Sequence, residues 1–418
     1  MSYFAFVREN LRWLLAGLLL TFFSSFGQTF FISLVAGDLR SAFDLSHGEF
    51  GGLYMAATLL SAASLTVIGK VVDTQPLALV SAAIVIGLAL FSVGMASVSS
   101  VAMLFVVLYG LRLFGQGMMT HVAMTAMGRW YAAQRGRAVS IAGLGIQCGE
   151  ASLPLAFVAV SALVGWRGAW WLGAVALVVV ALPALVLLLR VERIPRGQTA
   201  PDEGPEILRH WTRGEVLRDP AFWILSAGTL APPFIGTTIF FNQVYLVELR
   251  GWTMELFASG FVVMSSMTIT FALLAGWLID KVSALRIIPV FLLPLGAACV
   301  VMATVTQSYA VFVFMALLGV SYGFTSTLFG ALWPEVYGTR HLGAVRSVIV
   351  AMMVLASAVG PGLTGALIDL GVAYETQMLA MAAYCFCVAV SMTAVSVHVR
   401  KRLATTAETA IAGHPRSR

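Results

Sequence analysis

The sequence predicts an all-α membrane protein of about twelve transmembrane helices in two pseudo-symmetric six-helix bundles. Of its 418 residues, 60% are hydrophobic and 11% are charged, with a mean hydropathy of +0.92, whereas a soluble domain is about a quarter charged. Apolar runs recur that are long enough to cross a ~30 Å hydrocarbon core, where only helices and closed barrels satisfy every backbone hydrogen bond. Because the runs are continuous rather than alternating, they predict helices.

The basic residues give the predicted topology. If the chain starts inside and each run crosses once, all but four of the 25 Lys and Arg residues fall on the inner side. The exceptions are Arg40, Arg167 and Arg250 in outer loops and Arg112 within a span. This asymmetry is typical of cytoplasmic loops, so we expect an even number of spans and both termini in the cytoplasm. It also explains the net charge of +6 without a nucleic-acid partner.

The predicted spans divide evenly around the longest loop. They cover residues 11–36, 50–69, 77–98, 101–126, 138–163, 168–190, 220–247, 256–279, 287–306, 309–332, 346–370 and 374–398. The loop is rich in Pro, Gly and charge. We therefore predict an N-terminal six-helix bundle at 1–190, a cytoplasmic linker at 191–219, a C-terminal six-helix bundle at 220–399 and a cytoplasmic tail at 400–418. Pro232 and Pro233 predict a break in the seventh span.

Several function classes are disfavoured by what the chain lacks. It has no His or acid cluster, no Gly-x-Ser-x-Gly and no phosphate loop, so we expect neither an enzyme nor a cofactor. Its four cysteines fall within apolar spans, which argues against disulfides and metal sites. The first apolar run is too long for a signal-peptide core, so we expect it to remain as the first helix. The composition suits a bacterial inner membrane, and we expect a monomer.

Two motifs recur at the same separation. Gly69-Lys-Val-Val-Asp73 closes the second span, and Gly276-Trp-Leu-Ile-Asp280 closes the eighth, 207 residues later. The segments 136–140 and 343–347, which open the fifth and eleventh spans, are also 207 residues apart. The repeat predicts two bundles related along the membrane normal, with a solute site between them at midplane. A channel or receptor would leave this duplication unexplained.

These motifs resemble those of the major facilitator superfamily, and the resemblance covers nearly the whole chain. In that family Gly-x-x-x-Asp follows the second span, and its Asp latches the two bundles in one state. The resemblance implies gating roles for Gly69, Asp73, Gly276 and Asp280, with each Asp near the positive end of a helix from the other bundle. The predicted gating set also includes Arg137 and Arg346, from the second pair of motifs. The first copy lacks the family's following basic residues, and both acids could instead be solvated loop residues.

Two charged residues lie deep in predicted spans. Arg112 in the fourth span and Glu150 in the fifth both fall near midplane, where a charge costs at least ~2.5–3.5 kcal/mol. The stretch Arg112-Leu-Phe-Gly-Gln116 resembles a fourth-span motif whose Arg serves proton coupling in the family, with one additional residue of spacing. We hypothesise that an anionic substrate competes for Arg112 while Glu150 takes up a proton, since desolvation without a partner favours a neutral carboxyl group. The alternative is a permanent ion pair that fixes two helices.

Other polar residues in the first, second, fourth, seventh and tenth spans are candidates for lining the site. The predicted substrate-binding set is Arg112, Gln28, Tyr54, Gln116, Asn242, Gln243, Tyr322 and Thr325, and the predicted proton-coupling set is Glu150, Arg112 and His121. Each neutral candidate could instead make a helix–helix hydrogen bond, and a lone His is commonly structural.

The motifs favour a secondary active transporter that works by alternating access. Loop segments such as Gly128-Arg-Trp-Tyr131 resemble the monocarboxylate and oxalate–formate branch of the superfamily. That branch usually has basic residues in the eighth or eleventh span, and this chain does not. We therefore expect proton-coupled transport of a small organic anion, such as a monocarboxylate, with Arg112 as the main cation. The alternative is efflux of a neutral or amphipathic metabolite or drug by proton antiport.

Overall fold

The computed structural model describes residues 3–131, 134–191, 211–338 and 341–412; residues 192–210 of the predicted linker lie outside it. The described chain is helical. Its main helices are α1 (Tyr3–Phe23), α2 (Ala36–Phe43), α3 (His47–Ile68), α4 (Leu77–Ala96), α5 (Val101–Leu111), α6 (Thr120–Trp130), α7 (Arg135–Ala176), α8 (Leu182–Leu189), α9 (Arg213–Arg218), α10 (Pro220–Phe241), α11 (Gln243–Arg250), α12 (Met254–Val282), α13 (Leu293–Thr304), α14 (Ala310–Tyr337), α15 (Leu342–Asp369) and α16 (Tyr374–Ala412).

The observed helices agree with the predicted membrane fold. Within the described ranges, nine single helices are long and apolar enough to cross a membrane, and a bent pair in residues 5–43 adds a tenth span. The longest of the nine, Gly136–Leu189, has 54 residues, enough for two passes. A change of direction is possible at Gly165, whose φ of +74° is non-helical. The shorter apolar helix α13 lies where the ninth span was predicted.

The first span is broken rather than continuous as predicted. Its two halves meet at an angle of 46°. Ser24–Gly27 forms a 3-10 turn, and Gln28 has an extended conformation with ψ of 152°. Ser and Gly are weaker helix formers than the leucines of α1, which favours a break at this point. Near the break, the backbone therefore departs from the regular hydrogen-bond pattern of an α-helix.

The fourth span is also irregular, and its irregular segment crosses the break of the first. Between α5 and α6, residues Arg112–Met119 form a π-helix, a feature often found at functional sites. The crossing is very close, because a β-carbon on Gly27 would lie 2.1 Å from the carbonyl oxygen of Leu111. One on Gly115 would lie 2.6 Å from the Cα of Gly27. Glycine at both positions therefore lets the two backbones touch.

Small residues of the fifth span pack against the first. A β-carbon on Gly145 would lie 2.1 Å from the carbonyl oxygen of Leu18, and one on Gly149 would lie 2.1 Å from the Oγ of Ser25. This spacing of four residues places both glycines on one face of α7. Gly149, the residue before Glu150, thereby packs against Ser25 at the break in the first span.

The predicted break at Pro232 and Pro233 is wrong. Helix α10 continues through both residues to Phe241, since a membrane helix can continue through proline when neighbouring groups accommodate the backbone groups that it frees. The interruption comes instead at Asn242, whose φ of −93° and ψ of 17° separate α10 from α11.

By their internal contacts, the residues fall into two compact units. The first contains Met1–Ala200, Thr237–Ser265 and Pro361–Gly371, and the second contains Pro201–Gly236, Ser266–Gly360 and Val372–Arg418. The units differ from the predicted bundles because two segments of the second half, Thr237–Ser265 and Pro361–Gly371, pack with the first half. The predicted boundaries at 190 and 219 stay a prediction. Most candidate residues lie in the first unit.

Candidate functional site

Arg112 lies at the crossing of the broken first span and the π-helix. Only 2% of its surface is exposed. Its Nη1 donates to the carbonyl oxygen of Gly27 at 3.1 Å and to the Oγ1 of Thr29 at 3.4 Å. The guanidinium carbon lies 5.4 Å from the ring centroid of Tyr54. The break in the first span thus supplies both neutral oxygen acceptors that hold this buried cation.

Among the residues that the structure describes, Arg112 has no acidic partner. Within the described ranges, no carboxylate forms an ion pair with it, and its buried Nε has no hydrogen-bond partner. A buried guanidinium normally needs an anion or a full set of acceptors to offset its lost hydration. The arrangement therefore has unused capacity to bind an anion, such as a carboxylate, through charge-assisted hydrogen bonds.

Glu150 is the second buried charged residue of the sequence prediction. It is 8% exposed, and its Oε2 has no hydrogen-bond partner among the described protein atoms. Among the described contacts it does not pair with Arg112. This conformation therefore lacks the ion pair that the alternative interpretation expected. A switchable pairing stays a prediction. A desolvated carboxyl group without a cation is suited to carrying a proton.

Tyr54 connects Arg112 to an aromatic group that contains the seventh span. Its hydroxyl donates to the Oγ1 of Thr29 at 2.7 Å, so Thr29 accepts from both Tyr54 and Arg112. The Tyr54 ring lies 4.8 Å from Phe241, which stacks on Phe50 at 5.2 Å. All three aromatic side chains are at most 3% exposed. They pack against one another rather than forming an open cage for a ligand.

Asn242 and Gln243 join the seventh span to other helices of the first unit. Asn242 Nδ2 donates to the Oγ1 of Thr364 at 3.1 Å. Gln243 Nε2 donates to the carbonyl oxygen of Phe30 at 2.8 Å and to the Oγ of Ser33 at 2.9 Å. Both side chains are buried. In this conformation their amide donors are used in helix–helix contacts, which is the alternative that the sequence left open.

A hydrogen bond between equivalent positions of the repeat lies beside Gln243. Ser33 Oγ donates to the carbonyl oxygen of Phe240 at 2.6 Å. The two residues are 207 positions apart, which is the separation of the repeated motifs. The first and seventh spans therefore meet at corresponding points.

The first copy of the predicted gating motif makes contacts with the fourth span. Asp73 forms an ion pair with Arg129, and both side chains are substantially exposed. His121 Nε2 lies 3.2 Å from the carbonyl oxygen of Gly69. Arg129 thus provides the basic partner that the residues after Asp73 do not supply. His121 contacts the gating motif rather than Arg112 or Glu150 among the described contacts.

The remaining predicted residues lie in several places. Gln28 and Gln116 are half-buried and belong to the crossing at Arg112. In the second unit, Tyr322 packs against Gly236, and Thr325 donates to the carbonyl oxygen of Ser321 at 2.7 Å. The other predicted gating residues lie apart from Asp73. Arg137 and Arg346 are exposed. Gly276 and Asp280 lie in α12, and the side chain of Asp280 is outside the described part.

Sequence reasoning missed three contributors to these sites: Thr29, Ser33 and Arg129. Hydroxyl residues are common in membrane helices, so neither Thr29 nor Ser33 has a distinguishing pattern of its own. The signal for Thr29 was its position after Ser24, Ser25 and Gly27, where a helix is easily broken.

Comparison with known proteins identifies the family. The sequence matches the family described as Major Facilitator Superfamily over residues 17–361 and, in an overlapping second match, 267–414. A search of curated proteins gives no significant match.

Two similar solved structures are a bacterial homologue of the human lysosomal transporter Spinster, in an inward-facing and unoccupied conformation, and the nucleoside transporter NupG. The first is 17% identical with a TM-score of 0.67, and the match covers 100% of both chains. The second is 13% identical with a TM-score of 0.67, covering 92% of this chain and 98% of the other. The chain therefore belongs to the Major Facilitator Superfamily and is a membrane transporter of small molecules rather than an enzyme.

Proposed function

We propose that this transporter couples the movement of a small organic anion, such as a monocarboxylate, to protons by alternating access. The observation that carries the proposal is the buried Arg112, whose nearest acceptors are neutral oxygens and which has no ion-pair partner among the described residues. One cation favours a monoanion over a dianion. The basic residues favour cytoplasmic termini, the low use of Cys and Lys favours the inner membrane of a bacterium, and we expect a monomer.

Glu150 is the proposed proton carrier. It is buried with an unpartnered carboxylate oxygen, next to the Gly149 contact with the first span. When the anion occupies Arg112, a protonated Glu150 keeps the net charge of the loaded region low. When both ligands leave, the ionised carboxylate can be stabilised by the guanidinium of Arg112, as in the predicted switchable pair.

The substrate panel should include several chemical classes. Monocarboxylates test the proposal directly, and dicarboxylates test the preference for one negative charge. Nucleosides are included because NupG is a nucleoside transporter, although a likeness at 13% identity extends only to the fold. Lipophilic cations and neutral metabolites test the efflux alternative.

The first experiment measures thermal stability of the detergent-purified protein with each compound, at acidic and at neutral pH. A ligand at 100 times its Kd stabilises the folded state by ~2.7 kcal/mol. We expect monocarboxylates to raise the Tm, more strongly at acidic pH, and Arg112→Gln to abolish that rise. Stabilisation only by neutral or lipophilic compounds, equally in Arg112→Gln, would replace the proposal with the efflux alternative.

A second experiment tests Glu150. In proteoliposomes, Glu150→Gln should abolish uptake driven by a pH gradient while sparing exchange of internal for external substrate, because exchange requires no net proton release. Proton-driven uptake that is unchanged in Glu150→Gln would refute the role of this residue and leave the role of Arg112 to be judged separately.

A further inference from the structure

The amino-terminal turn of α3 is held by a carboxylate from the end of α15. Asp369 Oδ1 accepts from the backbone N–H of His47 at 3.1 Å, and Oδ2 accepts from that of Gly48 at 2.7 Å. The first N–H groups of a helix lack intrahelical acceptors and carry the positive end of its dipole. Asp369 therefore adds a negative charge at the point of α3 that best accommodates one.

The two helices touch along their backbones beside this contact. A β-carbon on Gly51 would lie 2.4 Å from the carbonyl oxygen of Pro361, and one on Gly365 would lie 2.3 Å from that of His47. One on Gly48 would lie 2.6 Å from Asp369 Oδ2. Glycines from both helices thus allow an approach that any other residue would prevent.

Helix α3 also has a cap from its own residues. Ser46 Oγ accepts from the N–H of Glu49 at 3.1 Å, and Glu49 Oε2 accepts from the N–H of Ser46 at 2.9 Å. This capping box satisfies the N–H groups of Ser46 and Glu49, whereas those of His47 and Gly48 have Asp369 as their acceptor. The internal repeat does not account for this carboxylate, because the equivalent residue of the first half, 207 positions before Asp369, is Ala162. The contact therefore links α15 to a helix start that already has a partial cap of its own.

The contact joins the two halves of the sequence on one side of the predicted membrane. Helix α3 belongs to the first half and α15 to the second, and these ends both lie on the predicted outer side, opposite the termini. We propose that Asp369 with His47 and Gly48 forms an outer latch, which closes access from the outer side and must release before the substrate site opens there. The latch concerns the conformational cycle and does not depend on the identity of the substrate.

The strength of the outer latch should be modest. Asp369 is exposed, and a charge at an exposed helix terminus contributes about two- to fivefold to an equilibrium. A weak latch suits a transporter, because a strong one would hold a single state. The interaction should also weaken at high salt, since exposed charges are screened.

The test measures the distance between spin labels on the two sides of the latch. Labels are placed at Ser41 and Leu370, both exposed, in a background in which the four cysteines are replaced. We expect one short distance in this parent protein. Asp369→Asn should raise the ratio of long to short distances about two- to fivefold, and Gly51→Ala should raise it further because its methyl group separates the backbones.

Two matched controls isolate the latch. Glu255→Gln removes an exposed acid at the start of α12, and Gly52→Ala adds a methyl group where nothing lies within 4 Å. Both should keep the parent distance distribution. High salt should reduce the difference between Asp369→Asn and its parent.

The outcomes separate the latch from simple packing. An unchanged distribution in Asp369→Asn at low salt would overturn the proposal, even if Gly51→Ala shifts the distances, because the contact would then be packing alone. Should Gly51→Ala fail to fold, Asp369→Asn decides by itself, since it keeps the size of an exposed side chain. No substrate is used, so failure of the anion proposal would leave this result interpretable.

Discussion

Replacing Thr29 by Val tests the hydrogen bonds that organise the candidate site. Valine has nearly the same shape as threonine but cannot accept from Tyr54 or Arg112. The Tyr54 hydroxyl, in a side chain with no exposed surface, would lose its acceptor at 2.7 Å. Leaving a buried donor unsatisfied costs ~1–3 kcal/mol. The longer contact from Arg112, at 3.4 Å, should add little because Gly27 still accepts.

Thr238 provides the matched control for this substitution. It is fully buried in α10, and its Oγ1 has no hydrogen-bond partner among the described atoms. Thr238→Val therefore removes an unsatisfied hydroxyl group, and we expect it to be neutral or slightly stabilising. The same chemical change should thus have opposite effects at the two positions.

The assay is reversible unfolding of the purified protein, with a double-mutant cycle that includes Tyr54→Phe. Once Thr29 is valine, removing the Tyr54 hydroxyl should relieve the unsatisfied donor, so the double variant should be no less stable than Thr29→Val alone. Additive losses in the cycle, or equal effects of Thr29→Val and Thr238→Val, would refute the hydrogen-bond arrangement around Arg112.

Two further predictions concern packing and the gating motif. Gly27→Ala should destabilise the protein by ~1–3 kcal/mol through overpacking, whereas Gly143→Ala, with open space around it, should not; equal melting temperatures would contradict the close crossing. Asp73→Asn should change stability by no more than ~1 kcal/mol, because its ion pair with Arg129 is exposed; a larger loss that high salt does not reduce would show that Asp73 has another, buried partner.

The membrane fold could be predicted from the sequence because it depends on composition and on length. Each span needs enough apolar residues to cross the bilayer, and that requirement is visible without any tertiary contact. The repeated motifs around Gly69 and Gly276 also indicated that the two halves of the chain are duplicated, since both copies retain the same spacing. These signals concern many residues at once, so single irregularities do not obscure them.

The irregular geometry could not be predicted with the same rules. Pro232 and Pro233 predicted a break that does not occur, because the helix continues through them. The break at Gln28 and the π-helix that starts at Arg112 meet at a close crossing of two spans. That crossing depends on which glycines meet in space, and sequence spacing within one helix does not contain this information.

The partners of the predicted site residues depend on the conformation as well as on the fold. Arg112 and Glu150 were predicted near the membrane midplane as a switchable pair; both are buried, and they are not paired in this conformation. Gln243 was predicted as a substrate ligand, and here its amide donates to the first span instead. A transporter must exchange such contacts between states, so a sequence can indicate which polar residues take part but not which partner each has in one state.

The charged residues proposed for substrate binding, proton transfer and the outer latch depart from the internal repeat. At the repeat separation of 207, the counterpart of Arg112 is Gly319, that of Glu150 is Ser357, and that of Asp369 is Ala162. The repeat preserves features common to both halves, such as the glycines at 69 and 276 and the contact between Ser33 and Phe240. A substrate with one negative charge has no such symmetry, and its binding requires a cation in one half only. The positions at which the halves differ in charge are therefore where specificity and coupling should be sought.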